Sequence, residues 1–94
     1  MYIGGGLFIS QYSKIEHVTF KSPTTTGGTT YGAYPNGYNK DNCAIIATMS
    51  NHNGMWCDEF GTFFGCSLTS SGISCYAVQA GRLGDNIRVS LLKL

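Results

Sequence analysis

The densest group of chemically versatile side chains lies at residues 51 to 59, which read Asn51-His52-Asn53-Gly54-Met55-Trp56-Cys57-Asp58-Glu59. A histidine, a thiol and two carboxylates so close together invite two chemistries. One is metal ligation. The other is a cysteine nucleophile, which needs Cys57 beside His52 or His17 and a third group to orient the imidazole. Both meet objections. Asp58 and Glu59 are adjacent, so on an extended strand their carboxylates point to opposite faces. A lone histidine is also more often an ordinary surface or core residue than a catalytic one. Binding without turnover asks less of the segment. Trp56 is the only tryptophan. Exposed, its ring face can meet the C–H face of a pyranose; buried, it is a core anchor. Asn51, His52, Asn53 and Asp58 offer hydrogen-bonding groups around it. Arg82, in the loop Ala80-Gly81-Arg82-Leu83-Gly84-Asp85-Asn86, is either a contact for an acidic ligand or a solvated residue weakly paired with Asp85.

The cysteines, Cys43, Cys57, Cys66 and Cys75, are separated by 13, 8 and 8 residues. No C-x-x-C pair occurs, which argues against a zinc ribbon or a thioredoxin-like redox motif. Four cysteines allow three disulfide pairings. No basic segment followed by an apolar stretch marks a secretory leader. The expected compartment is therefore reducing, and the thiols are expected to be free. Their phase agrees. Cys43 alternates in step with Ile45 and Ala47, Cys66 with Phe64 and Leu68, and Cys75 with Ile73 and Ala77, as small buried hydrophobes do. Disulfides remain the alternative. No metal and no cofactor is expected.

Composition limits the partners. The chain has 94 residues, 12% of them charged, and a net charge of +1. One domain fits this length. Its six basic residues are scattered, whereas a phosphate-tracking surface needs them clustered, so no nucleic acid is expected. No apolar run approaches the roughly 20 residues of a membrane helix, so no membrane insertion is expected. With 43% hydrophobic and 13% aromatic residues the chain can build a core.

The elements that must position these residues are strands. Turn pairs rich in glycine recur about every 8–12 residues between short runs of Ile, Val, Thr, Tyr and Phe. No helical stripe persists for three turns. Residues 1–13 read as an N-terminal arm or linker, with Tyr2, Ile3, Leu7, Phe8 and Ile9 suited to packing against a neighbouring subunit. Residues 14–94 read as the domain itself. Ile15–Lys21 is an expected strand with Val18 and Phe20 on one face and His17 and Thr19 on the other. Thr29–Tyr34 is another, anchored by Tyr31. Pro35-Asn36-Gly37 marks a turn. After it, Tyr38 can fold back onto the core, and Asp41 and Asn42 can bond backbone N–H groups. Cys43–Met49 is apolar throughout and reads as a central strand, buried on both faces or at a subunit contact. Ser50–Gly54 reads as a turn, and Gly61 as the start of the next. Thr62–Leu68 follows, where Gly65 suggests a bulge or a close approach. Thr69–Gly72 closes a hairpin with Ile73–Gln79. In Ile87–Leu94, Ile87, Val89 and Leu91 point in while Arg88 and Ser90 point out. The expected fold is all-β: an antiparallel β-sandwich, jelly-roll-like, of seven or eight short strands.

The string Tyr34-Pro35-Asn36-Gly37-Tyr38-Asn39-Lys40-Asp41-Asn42-Cys43-Ala44-Ile45-Ile46 resembles a motif of the C-terminal tip domains of tail-fibre or receptor-binding proteins from phages and prophages of Gram-positive gut bacteria. The hairpin Leu68–Ile73 and the closing strand Ile87–Leu94 fit the same layout, so the resemblance spans about Val18 to Leu94. No catalytic signature travels with it, and the lead-in here is too short for a fibre shaft. The resemblance implies a small β-sandwich tip that forms a homo-oligomer, a trimer, and binds a host cell-surface glycan or protein. It implies a place on the virion tail after synthesis in the host cytoplasm. The motif residues themselves read as structural. Two alternatives stand beside this binding module: a purely structural fibre cap or decoration protein, and a small cysteine or glycan hydrolase. A secreted, disulfide-bonded lectin is a further one.

Overall fold

The computed structural model describes residues 14–94. The expected arm, residues 1–13, lies outside the described residues. Seven strands and one helical turn follow in order: β1 (Lys14–Lys21), β2 (Thr29–Gly32), β3 (Cys43–His52), β4 (Met55–Cys57), α1 (Phe60–Phe63), β5 (Phe64–Thr69), β6 (Gly72–Ala77) and β7 (Asn86–Lys93). They form a four-stranded sheet, β1-β7-β3-β4, and a three-stranded sheet, β2-β6-β5. Every pairing is antiparallel. The protein is an all-β sandwich. The pairs β1–β7 and β2–β6 are nested, the outer strands of the chain meeting each other and the next ones in meeting each other.

Alternation builds the core. Ile87, Val89 and Leu91 on β7 are fully buried, as are Ile73, Cys75 and Ala77 on β6. These two central strands bring their apolar faces together between the sheets. Around Ile73, Val89 and Leu91 gather Tyr38, Cys43, Val18, Phe20, Ile45 and Leu68. Around Cys75, Ala77 and Ile87 gather Phe60, Phe64, Phe63 and Leu83. On β1, Val18 and Phe20 point inward and His17 and Thr19 outward, as the sequence predicts. The cysteines are free, Cys43 and Cys75 buried and Cys57 and Cys66 half-buried.

The 35–38 turn also behaves as its residues dictate. Gly37 takes φ 84° and the Tyr38 N–H donates to the Pro35 carbonyl at 3.0 Å. Tyr38 then folds into the core, its hydroxyl donating to the Lys14 carbonyl at 2.9 Å. The asparagines do the work expected of Asp41. Asn39 Oδ1 accepts the Asp41 N–H and Asn42 Oδ1 accepts the Asn39 N–H, each at 2.8 Å. The Asp41 carboxylate points outward to Lys40 instead.

Other expectations are corrected. Tyr31 is no core anchor: it faces outward, 54% exposed, because its neighbour Gly32 takes the inward position against the ring of Phe20. The bulge lies at Ile46 on β3, where the register with β7 shifts, and not at Gly65, whose pairing is regular and whose surroundings are open. β3 is paired on both edges, but its outer side is not buried, since the extra residue Ile46 is 49% exposed. The turn expected over residues 50–54 shrinks to Asn53-Gly54, both at positive φ, because β3 runs on through His52. This two-residue connection is the tight hairpin that Asn-Gly favours. Gly61 lies within α1 rather than opening a turn.

Candidate functional site

The β3–β4 hairpin gathers the residues expected to bind, but divides them between two sides. Trp56 pairs across the ladder with Asn51, which pairs on its other side with Asn86. Directly opposed residues share a face, so these three stand with Arg88 and Met49 on the outer face of the four-stranded sheet. Trp56 is 37% exposed. The Arg88 guanidinium lies 4.5 Å from its ring centroid, and Arg88 Nη2 donates to Met49 Sδ at 3.1 Å. One face of the indole is therefore already covered by a cation.

His52 and Arg82 belong to the other side. Ser50, two residues before His52, is fully buried opposite Ile87 and faces the sandwich interior. His52 follows it on that face and donates from Nδ1 to Asp85 Oδ2 at 2.8 Å. Arg82 lies 4.8 Å over the Phe63 ring, reaches Ser50 Oγ at 3.5 Å and pairs with Glu59 at 3.4 Å. Its ionic partner is thus Glu59, while Asp85 is taken by His52. Asp58 and Glu59 are not on a strand at all, since β4 ends at Cys57; both lie in the link to α1, and Asp58 is exposed. Asn53 holds the left-handed position of the turn, φ 53°.

This arrangement gives no nucleophile pair. The Cys57 thiol points to the Met55 carbonyl, 3.6 Å away, and His17 Nδ1 meets Ser90 Oγ at 2.7 Å. Among the described residues no hydrogen bond joins Cys57 to either histidine, no group of three or more His, Cys, Asp or Glu is placed to hold a metal, and no enclosed pocket forms.

A second surface emerges from the register. Tyr31 on β2 and Ser67 on β5 both oppose Ser74 on β6, and Thr29 and Gly65 both oppose Tyr76. These residues form the outer face of the three-stranded sheet. Tyr31 is 54% and Tyr76 48% exposed. They occupy diagonal positions, whose Cα atoms lie about 7–8 Å apart. Between them the Ser67 and Ser74 hydroxyls share a hydrogen bond of 2.7 Å. Tyr76 opposes Thr29, and its hydroxyl lies near Gly27 of the β1–β2 loop. At Gly65 the face is open, with nothing within 4 Å of where a side chain would start.

The sheet is also uncharged. No Asp, Glu, Lys, Arg or His occurs from Ser22 to Asn39 or from Phe60 to Gly81, and these two runs contain β2, β5 and β6. The charged strand residues Lys14, Glu16, Lys21, Arg88 and Lys93 all lie on β1 and β7.

The chain matches no protein-family model, and no curated protein or solved structure matches it significantly.

Sequence reasoning passed over this face. The alternation of Ile73, Cys75 and Ala77 already sends Tyr76 outward, which was signal enough. Tyr31 faces outward because Gly32, packed against the ring of Phe20, holds the inward position beside it.

Proposed function

We propose that the protein is an adhesion module that binds a neutral, polyhydroxylated ligand, a surface glycan, on the outer face of β2-β6-β5. The observation that carries this reading is the pair of exposed tyrosines, Tyr31 and Tyr76, on a sheet of serine and threonine without charge. Tyrosine offers a rigid ring for stacking on sugar C–H groups and a hydroxyl for hydrogen bonding, with few rotatable bonds to immobilise. Serine and threonine supply further donors and acceptors.

The face is flat, so a single site would be weak. Useful attachment then comes from several copies engaging together, which raises overall affinity without new contacts. A homotrimeric, tail-fibre-like tip on a virion is the assembly we infer. The apolar row Ile15–Leu92–Ala44 on the outer face of the other sheet, with Ile46 nearby, supports packing between copies. The reading involves no turnover, cofactor or metal.

The test is a neutral-glycan array followed by titration of the best ligand. Tyr31→Ala and Tyr76→Ala should each weaken binding about tenfold, equivalent to 1.4 kcal/mol, with unchanged thermal midpoints. Loss of binding in Trp56→Ala, with both tyrosine variants unaffected, would move the site to the β3–β4 hairpin. No neutral glycan bound at any density would favour the structural cap.

A further inference from the structure

Two thiols face each other across the β5–β6 ladder. Cys66 and Cys75 are direct register partners, flanked by the pairs Phe64–Ala77 and Leu68–Ile73. Direct partners in an antiparallel pair have Cα atoms about 4.5 or 5.5 Å apart. Either spacing falls inside the range that a disulfide spans. As direct partners their side chains stand side by side on the inner face of the sheet. Their access differs. Cys75 is fully buried on the central strand, while Cys66 is half-buried on β5, the edge strand of its sheet.

The other cysteines have no such partner. The Cys43 thiol donates to the Asn39 carbonyl at 3.1 Å. Cys57 opposes Ser50, seven residues along β3 from Cys43, a separation of about 23 Å at strand rise.

We propose that Cys66 and Cys75 form a dithiol modification site, which closes to a cross-strand disulfide on meeting a small oxidised disulfide. Cys66, the accessible sulfur, attacks as its thiolate one sulfur of the small disulfide. A mixed disulfide forms and one small thiolate leaves, taking up the Cys66 proton. Cys75 then loses its proton and attacks the Cys66 sulfur, breaking the mixed bond and releasing the second small thiol. The protein gives up two protons and two electrons, and the small disulfide takes them up to become two thiols. The roles fit the contact between the sulfurs. An S–H bond donated by Cys75 pulls the Cys66 thiol below its ordinary range, and the same bond together with burial pushes Cys75 up. The bridge would fasten the edge strand β5 to the centre of its sheet.

The experiment treats the folded full chain with oxidised glutathione, blocks the remaining thiols with an alkylating agent under denaturing conditions, and maps the peptides by mass. The expected result is an intact mass lower by two hydrogens, a single bridge joining Cys66 to Cys75, and two alkylated sites at Cys43 and Cys57. Cys43→Ser and Cys57→Ser should leave the bridge unchanged, and Cys66→Ser should abolish it. The oxidised protein should melt several degrees higher. A lasting glutathione adduct on Cys66 with Cys75 still alkylated, a bridge between any other pair, or four alkylated thiols after oxidation would overturn the proposal. Because the decisive mapping uses the unaltered chain, it stands even if Cys66→Ser does not fold.

Discussion

The ring of Phe20 occupies the space that a side chain at Gly32 would need: a Cβ there would lie 2.4 Å from Phe20 Cδ1. The contact joins β1 of one sheet to β2 of the other, at the corner where Thr30 Oγ1 also donates to the Lys21 carbonyl at 2.7 Å. Gly32→Ala should therefore cost about 1–3 kcal/mol, the range for overpacking a tight core. Chemical denaturation measures it. Pairing the change with Phe20→Leu should recover part of the loss, because neighbouring sites couple. An unaltered midpoint in Gly32→Ala would show that the ring is free to move aside.

Gly65 is the opposite case. With its surroundings open and its register regular, a strand residue should be accepted there. Gly65→Thr is expected to leave stability unchanged or raise it by up to about 1 kcal/mol, since glycine is unfavourable inside a strand. The new side chain would stand directly opposite Tyr76 and fill the open part of the tyrosine face. Thermal melting should thus improve or hold while glycan affinity falls. A loss of stability would indicate that the backbone at residue 65 needs glycine after all.

Tyr34 and Tyr38 make stability sensitive to alkali. Burial raises both hydroxyls above the ordinary tyrosine range, with Cys43 next in importance for Tyr34 and Glu16 for Tyr38. A group whose pKa is raised on folding contributes fully below its unfolded pKa, and that contribution is lost as pH rises through the folded value. Burial raises the Cys43 thiol in the same sense. Stability should therefore begin to decline above about pH 8.5, where the unfolded thiol titrates, and decline more steeply above about pH 10, the unfolded tyrosine range. Tyr34→Phe and Tyr38→Phe forgo hydrogen bonds to the carbonyls of Thr69 and Lys14, so each starts lower at neutral pH. Each should nonetheless show a shallower alkaline decline. Equal slopes in all three proteins would contradict the assignment.

Much of this architecture was legible because it depends on a period of two. The closing strand announces itself through Ile87, Val89 and Leu91, and β1 through Val18 and Phe20, as found. The fold of Tyr38 back onto the core was legible for a local reason, the turn chemistry at Gly37. What escaped depends on distant parts of the chain. Ser50, Asn51 and His52 look like loop residues, yet the ladder with β7, more than thirty positions away, makes Ser50 and Asn51 strand, and the hairpin with Met55 extends it to His52. Burial of Ser50 is completed by Arg82 from another loop. The helical turn at Phe60–Phe63 is too short to show a period, and two of its four residues are aromatic. At the candidate site, the types of residue at 51–56 were legible. Their division between two faces, the capture of His52 by Asp85 and the exposure of Tyr31 were not. Each is set by pairing rather than by local preference.

The segregation of charge between the two sheets has a practical result. Contacts with fixed charge weaken as salt is added, because counter-ions screen them within about 8–10 Å at moderate ionic strength. A partner held by β2, β5 and β6 leans on no fixed charge of those strands. Its grip should be nearly indifferent to whether the surrounding fluid is fresh or briny.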